Sequence, residues 1–505
     1  MHGLTHANGG KKLYENSELR LNKDEHIALI GPNGAGKTTL LNIIAQKIVP
    51  DHGEVEIHPK TKIGYLDQHQ DVNGEQTVEE YLKLSFQELY DLEKKMHDIY
   101  AKMAEEYDED ELVKALKYQD ILNVNDFETI DKKIGNLVTG LGIGNDKLAM
   151  PMGSLSGGQR GKVMLAKLLL SGNDFLLLDE PTNFLDIEQV EWLAKFLQNF
   201  DKAFLMVSHD NEFINKTCKI IYAIENLHLT RYVGNYEKYL EESAMLKLQH
   251  EKAVASQQQQ VDKLKTYIAK NSARASTAKS AQSRQKQLEK MDLLKDWNED
   301  AKPHFNFTYK RPSTSVVVKA KDLAIGYDHA LLSELNFEIR EGEKCIISGR
   351  NGIGKTTLLK TMCTEIDAFS GTIELGHNVS YAYFHQIEEM EPITPIQYLL
   401  NHHDKITEAD AKAKLAQFGV RKQLMFQAMN TLSGGEQSKV RLSSLSLEPC
   451  SLLVLDEPTN HIDVKAKDAL LEAIQAFKGT VLLTTHDINF STKWADKIIN
   501  FDDLA

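Results

Sequence analysis

Two eleven-residue stretches carry the densest chemistry in this chain, GPNGAGKTTLL from Gly31 to Leu41 and GRNGIGKTTLL from Gly349 to Leu359. Glycines at this spacing let successive backbone N–H groups converge on one anion at a helix start, so the pattern suits phosphate. In the first stretch Gly31, Asn33, Gly34 and Gly36 form the loop, and Lys37, Thr38 and Thr39 open the helix. In the second the same places are held by Gly349, Asn351, Gly352, Gly354, Lys355, Thr356 and Thr357. Lys37 and Lys355 are placed to reach β- and γ-phosphates, and the Thr38 and Thr356 hydroxyls to hold Mg²⁺. Asp179 and Asp456, each ending an apolar run, complete the metal set. Glu180 and Glu457 follow directly, where a carboxylate orients and deprotonates the attacking water. The pattern predicts two nucleoside triphosphate sites with Mg²⁺.

Three further features repeat with these. His209 and His486 each follow a short apolar segment and precede an aspartate, and their equal spacing from DEPT predicts contact with the γ-phosphate. Gln68 and Gln386 end IGYLDQ and YAYFHQ, from which they would sense Mg²⁺ or water. Ser156, Gly157, Gly158 and Gln159 recur as Ser433, Gly434, Gly435 and Glu436. A serine and paired glycines at a helix start make a second anion-binding terminus.

The elements that must position these residues are duplicated, with two irregularities. Lys37 and Lys355 lie 318 residues apart, as do Gln68 and Gln386, whereas Asp179–Asp456 and His209–His486 are 277 apart. The first copy therefore holds 41 extra residues between its glutamine and its LSGGQ. That stretch has neither Gly nor Pro from Glu75 to Ile134, and Leu92, Met96, Ile99 and Met103 share a helical face. Asp108-Glu109-Asp110 makes a turn before a second helix, so an acidic helical hairpin is predicted at about 78–134. The second irregularity is Asn235 to Lys302, again free of Gly and Pro, in which Val261, Leu264 and Ile268 share a face. Two packed helices of about 25 residues, reaching roughly 35–40 Å, are predicted there.

The net charge of −14 argues against broad nucleic-acid affinity, so any such contact must come from a local patch. One exists: from Lys263 to Lys290 there are eight Lys or Arg against one acid, Glu289. Near the expected tip, NSARASTAKSAQSR mixes small residues with Arg274, Lys279 and Arg284 and carries no apolar anchor, which fits phosphate-backbone contact. No run of about 18 apolar residues occurs and the N-terminus lacks a signal-peptide core, which points to a cytoplasmic protein. The four cysteines are scattered, as buried free thiols are.

LSGGQ together with DEPT and the duplicated histidine strongly resembles the ABC ATPase superfamily. That resemblance covers both halves and implies an α/β fold of two tandem ABC-type P-loop ATPase domains. It implies head-to-tail pairing, in which Lys37, Thr38, Gln68, Asp179, Glu180 and His209 are completed by Ser433, Gly434 and Gly435. Lys355, Thr356, Gln386, Asp456, Glu457 and His486 would be completed by Ser156, Gly157 and Gly158, with Asp186 and Asp463 communicating between them. Tyr327 fits the aromatic that stacks on adenine; the aligned first-half segment puts Asn8 there. Either the true start lies upstream or the first sheet is short and its adenine site weaker.

The layout is similar to the ABC-F family: tandem ABC domains, a helical arm in the first and a basic helical linker. The domains expected are 1–234, a linker at 235–302 and 303–505. The resemblance implies an ATPase that binds the ribosomal tRNA exit site when ATP-loaded and points its linker at the P-site tRNA and peptidyl-transferase centre to relieve stalled or idle ribosomes. It implies contacts with 23S rRNA and P-site tRNA through Lys270, Arg274, Lys279 and Arg284, an arm toward the L1 stalk or tRNA elbow, no separate transmembrane subunit and a monomer with intramolecular pairing. Antibiotic resistance through ribosome protection is the alternative within the class. A DNA-directed ATPase is disfavoured by the end at FDDLA, without a C-terminal coiled coil.

Overall fold

The computed structural model describes residues 1–8, 11–66, 73–104, 107–271, 278–289, 291, 302–350, 352–386, 390–459, 462–485 and 494–501. In chain order the first half begins β1 (His2–Asn8), β2 (Lys11–Ser17), β3 (His26–Ile30), α1 (Lys37–Ile44), β4 (His52–Glu54) and β5 (Ile63–Leu66). Helices α2 (Val78–Lys83), α3 (Gln87–Met103), α4 (Glu109–Val124), α5 (Ile130–Gly140) and α6 (Gly157–Leu170) follow. It closes with β6 (Phe175–Asp179), α7 (Ile187–Gln198), β7 (Ala203–Val207), α8 (Asn211–Thr217), β8 (Ile220–Glu225) and β9 (His228–Val233). Two helices intervene, α9 (Tyr236–Asn271) and α10 (Ala278–Glu289). The second half starts β10 (Val316–Gly326), β11 (Ala330–Arg340), β12 (Lys344–Ser348), α11 (Lys355–Met362), β13 (Ser370–Leu375) and β14 (Tyr381–Phe384). It continues α12 (Pro395–His402), α13 (Glu408–Gln417), α14 (Gly434–Leu445), β15 (Leu452–Asp456), α15 (Val464–Ala476), β16 (Thr480–Thr484) and β17 (Lys497–Asn500).

The central sheets run β5-β6-β7-β3-β8-β9 and β14-β15-β16-β12-β17, parallel apart from the antiparallel β8–β9 edge. Parallel strands covered on both faces need continuous apolar runs, which FLLLD, AFLMV, LLVLD and TVLLT supply. On β6, Phe175 and Leu177 enter one core while Leu176 and Leu178 enter the other. On β15, Leu452 and Val454 alternate with Leu453 and Leu455 in the same manner. Asp179 and Asp456 therefore emerge at the carboxyl ends of fully packed central strands. All four cysteines are buried free thiols.

A three-stranded antiparallel sheet covers each P-loop helix, β2-β1-β4 in the first half and β11-β10-β13 in the second. Strand β1 has 7 residues where β10 has 11, so the first of these sheets is the shorter. Asn8 ends β1 paired with Lys11, and Gly326 ends β10 paired with Ala330. The pairs Leu4–Ser17, His6–Tyr14 and Ala7–Lys12 match Leu323–Leu335, Ile325–Leu332 and Gly326–Ala330, which sets Asn8 in the place that Tyr327 holds after Gly326.

In the arm region, Asp108 caps α4, its carboxylate accepting from the Asp110 and Glu111 amides at 2.9 and 3.3 Å. Ile99 of α3 and Ala115 and Leu122 of α4 are buried. Val78 and Leu82 of α2 and Ile134 and Val138 of α5 join the core of the first half. Within the described residues α9 spans 36 residues, longer than the roughly 25 expected, and α10 spans 12. With no Gly or Pro and only a thin apolar stripe, nothing in the sequence marks where the first helix stops. Val261 and Leu264 of α9 and Ala281 of α10 are buried, the Tyr267 and Ser280 hydroxyls lie 3.2 Å apart, and the Arg284 guanidinium sits 4.2 Å from the Tyr267 ring centre.

Helix α9 is tied down at its root. The Tyr236 N–H donates to Asn215 Oδ1 of α8 at 2.7 Å, and Asn235 Oδ1 caps the helix by accepting from the Lys238 amide at 3.1 Å. Three hydroxyls then converge on one carboxylate at the end of β8: Tyr232, Tyr239 and Ser243 donate to Glu225 at 2.8, 3.2 and 2.6 Å.

Candidate functional site

Each phosphate loop turns through a left-handed glycine, Gly36 at φ 101° and Gly354 at φ 115°, a conformation that disfavours side chains. At Gly36 an added Cβ would stand 2.5 Å from the Tyr14 hydroxyl, so the position is closed sterically as well. Tyr14 is wholly buried and its hydroxyl donates to the Gly36 carbonyl. Lys37 Nζ donates to the Gly31 carbonyl at 2.9 Å and lies 3.4 Å from Asn33 Oδ1. Lys355 Nζ reaches the Gly349 and Arg350 carbonyls at 2.5 and 3.3 Å. Burial lowers the Lys37 pKa, against the opposing pull of Glu180, Asp179 and, from the other half, Asp463. An ammonium held by neutral carbonyls can exchange them for phosphate oxygens at little desolvation cost.

Beside each loop stands an acidic pair. The Asp456 Oδ1 accepts from the Thr484 hydroxyl at 2.6 Å, while its buried Oδ2 has no hydrogen-bond partner among the described residues. Burial raises the pKa of Asp456, and the Thr356 hydroxyl beside it works the other way. A threonine hydroxyl next to a carboxylate with a bare oxygen is a hard-oxygen donor set, which fits Mg²⁺. Glu180 and Glu457, the next residues, sit at φ 47° and 48°, strained left-handed backbone in the same register of both halves. The Glu180 amide donates to the Val207 carbonyl at 2.9 Å, and the Glu457 amide to the Thr484 carbonyl and hydroxyl at 3.2 and 3.0 Å. These bonds to the neighbouring strand end fix the turn. Glu180 meets His209 twice, accepting its backbone N–H at 3.2 Å and lying 3.3 Å from its Nε2. Burial pushes the Glu180 carboxyl up to about 7, although Lys37 opposes the rise. A carboxylate of that basicity is matched to proton transfer near neutral pH.

The two LSGG segments both cap helices, with a difference. The Ser156 Oγ accepts from the Gln159 amide at 3.3 Å while the Gln159 side chain accepts the Ser156 N–H at 3.2 Å. Ser433 instead donates its hydroxyl to Glu436 at 2.7 Å, and its N–H to the same oxygen at 3.0 Å. The second segment therefore carries a carboxylate where the first has an amide.

Residues of both halves line one cleft of about 1200 Å³. Ser156, Gly158 and Gln159 face Gly352, Gln386 and Glu457 across it, and Glu180, Asp186 and His209 lie along the same walls. Asp463 looks into the first half: burial would raise its pKa, but Lys439 at 2.9 Å, the Ala466 amide and His209 outweigh that and hold it low. Ser433, Gly434 and Gly435 do not line this cleft. Tyr327 is exposed in its loop. Lys270 is exposed in the last turn of α9, and Lys279 and Arg284 are exposed on α10. Gln68, Asn351, Arg274 and His486 fall outside the described residues. Tyr14 went unpredicted because no local pattern links an aromatic on β2 to a loop 22 residues later. Arg441 of α14 was also missed; its signal was a charge at the repeat position where the first half has Met164.

Paired phosphate loops on parallel sheets, acidic strand ends and the signature helix of one half across a cleft from the phosphate loop of the other define a tandem ATP-binding-cassette ATPase. The family model described as ABC transporter matches residues 14–183 and 332–460, and a second of the same description matches 222–307. An uncharacterized ABC transporter ATP-binding protein of Bacillus subtilis, YfmM, is 43% identical over 492 residues, covering 96% of this chain and 95% of the relative. ABC transporter F family member 2 of Arabidopsis thaliana is 33% identical, over 95% of this chain and 73% of its own length. Among solved structures, an archaeal ribosome recycling factor, aABCE1, in complex with ribosomal stalk protein aP1, aligns at TM-score 0.62 and 19% identity, over 99% of this chain and 87% of its own, a likeness of fold. The chain belongs to the ABC-F family of ABC ATPases, and it is an ATP-hydrolysing enzyme.

Proposed function

We propose that this ATPase is a ribosome-directed translation factor of the cytoplasm, which binds the tRNA exit site in its ATP-bound form and is released by hydrolysis. The observation that carries the reading is the 36-residue α9 with basic α10, rooted between two ATPase halves in a chain with no described helix apolar enough to cross a membrane. Charges on a surface without apolar anchors suit RNA backbone and shape, so Lys270, Arg274, Lys279 and Arg284 would meet rRNA and P-site tRNA. The acidic arm would meet basic protein near the L1 stalk. A structural neighbour named for ribosome recycling supports the reading at the level of fold.

At each nucleotide site Lys37 and Lys355 bind β- and γ-phosphates, with Thr38, Gln68 and Asp179, or Thr356, Gln386 and Asp456, as the Mg²⁺ shell. When bound, Mg²⁺ neutralises developing charge on the phosphates. Glu180 and Glu457 hold the attacking water and take its proton, while His209 and His486 orient toward the γ-phosphate. Ser156 to Gln159 complete the second site and Ser433 to Glu436 the first. Glu180→Gln with Glu457→Gln should trap the closed form, co-sediment with ribosomes only when ATP is present, and inhibit translation. A variant that stays soluble beside ribosomes, or binds branched DNA instead, overturns the proposal.

A further inference from the structure

One buried cation has no place in the nucleotide chemistry of either site. Arg441 lies on α14, the helix that begins just after Ser433, and is 8% exposed. Its guanidinium donates to the His385 carbonyl and lies 4.3 Å from the ring centre of Phe384. Phe384 ends β14, and Gln386, two residues on, lines the cleft opposite Ser156 and Gly158. The same strand end is braced from its other side, where His385 Nε2 meets Glu365 at 2.6 Å and the His385 ring lies 4.0 Å from that of Tyr383. Burying a guanidinium is costly unless its planar donors are used, and here they grip the main chain immediately before Gln386. The first half does this differently. At the repeat positions of Phe384 and Arg441 it carries Leu66 and Met164, both packed in its apolar core.

We infer that Arg441 is a positioning residue: it fixes Gln386 in the second ATP site and ties that placement to α14, whose first residues complete the other site. The inference rests on the assignment of Gln386 and the LSGG segments given under Proposed function. Ser433 at the start of α14 and Gln386 beyond β14 are then joined by one side chain, so movement of the signature helix is carried to the glutamine of the opposite site. Among the described residues the first half has the apolar side chains of Leu66 and Met164 in that place, which makes the linkage one-sided.

The test uses the full chain. Glu180→Gln leaves hydrolysis to the second site and Glu457→Gln leaves it to the first. Arg441→Met, a side chain that the first half accommodates at this place, should lower kcat about tenfold or more in the Glu180→Gln background with little change in KM. In the Glu457→Gln background kcat should change less than about twofold, and Arg441→Lys, which keeps charge without the planar fork, should recover only part of the loss. A binding measurement stands beside this: with Lys37→Ala confining nucleotide to the second site, Arg441→Met should raise the Mg²⁺ concentration needed for half-maximal ATP binding about tenfold. Unchanged kcat and Mg²⁺ requirement would overturn the inference, as would equal losses in both backgrounds accompanied by a lower Tm. If Glu180→Gln and Glu457→Gln each keep the full wild-type rate, the site assignment falls and the positioning role with it.

Discussion

Glu180 shows how one residue's surroundings set its chemistry. Its left-handed backbone aims the carboxylate into the cleft, its neighbours remove water, and its pKa rises to about 7 as a result. A general base works only when ionised, so the sign follows directly: hydrolysis at the first site should fall about tenfold per unit as pH drops well below 7, and level off above it. The check is a pH–rate profile of the Glu457→Gln variant, where only the first site turns over. Tyr14 makes a second residue-scale case. Tyr14→Phe removes a buried hydroxyl from the Gly36 carbonyl and should cost about 1 kcal/mol of stability, read as a lower denaturation midpoint at unchanged slope. The phosphate loops, acidic pairs and LSGG segments are legible in the amino-acid sequence because each is a local backbone requirement, and each occurs twice. Tyr14 and Arg441 are not, since their partners lie 22 and 56 residues away and their roles depend on tertiary contact.

At the scale of elements the same division holds. The apolar runs that end in Asp179 and Asp456 had to be buried strands, and the Gly- and Pro-free stretches had to be helical. Where those helices turned was another matter. Val261 and Leu264 give α9 a stripe without a terminus, and its 36 residues run well beyond the length that the stripe suggested. What sets α9 is its root, which no periodicity reports: a cap from Asn215 and three hydroxyls on Glu225. Asn215→Ala should destabilise the base of α9 by about 1 kcal/mol, the usual worth of a helix cap, and raise amide exchange in its first turn. Glu225→Ala should do more, because three buried or half-buried hydroxyls lose one shared acceptor. Loss of protection confined to α9 and β9 would separate this from global loss of stability.

The whole molecule is two unlike copies of one ATPase facing a common cleft. Asp463 of the second half feels His209 of the first, and Gln159 and Glu436 distinguish the two signature helices. On this frame Lys279→Gln with Arg284→Gln should weaken ribosome binding and flatten its salt dependence by about one to two counterions, with basal ATPase unchanged. Co-sedimentation across a salt series reads both effects. The root of α9 has one more consequence. Asp210, the residue after His209, caps α8 by accepting from the Phe213 amide at 3.0 Å, and α8 in turn caps α9. A straight helix of 36 residues is on the order of 50 Å long, so a tilt of about 5° at its root sweeps its far end through roughly 5 Å. A small rotation of α8 beside His209 would thereby be geared up to a displacement of several ångströms at the far end of α9.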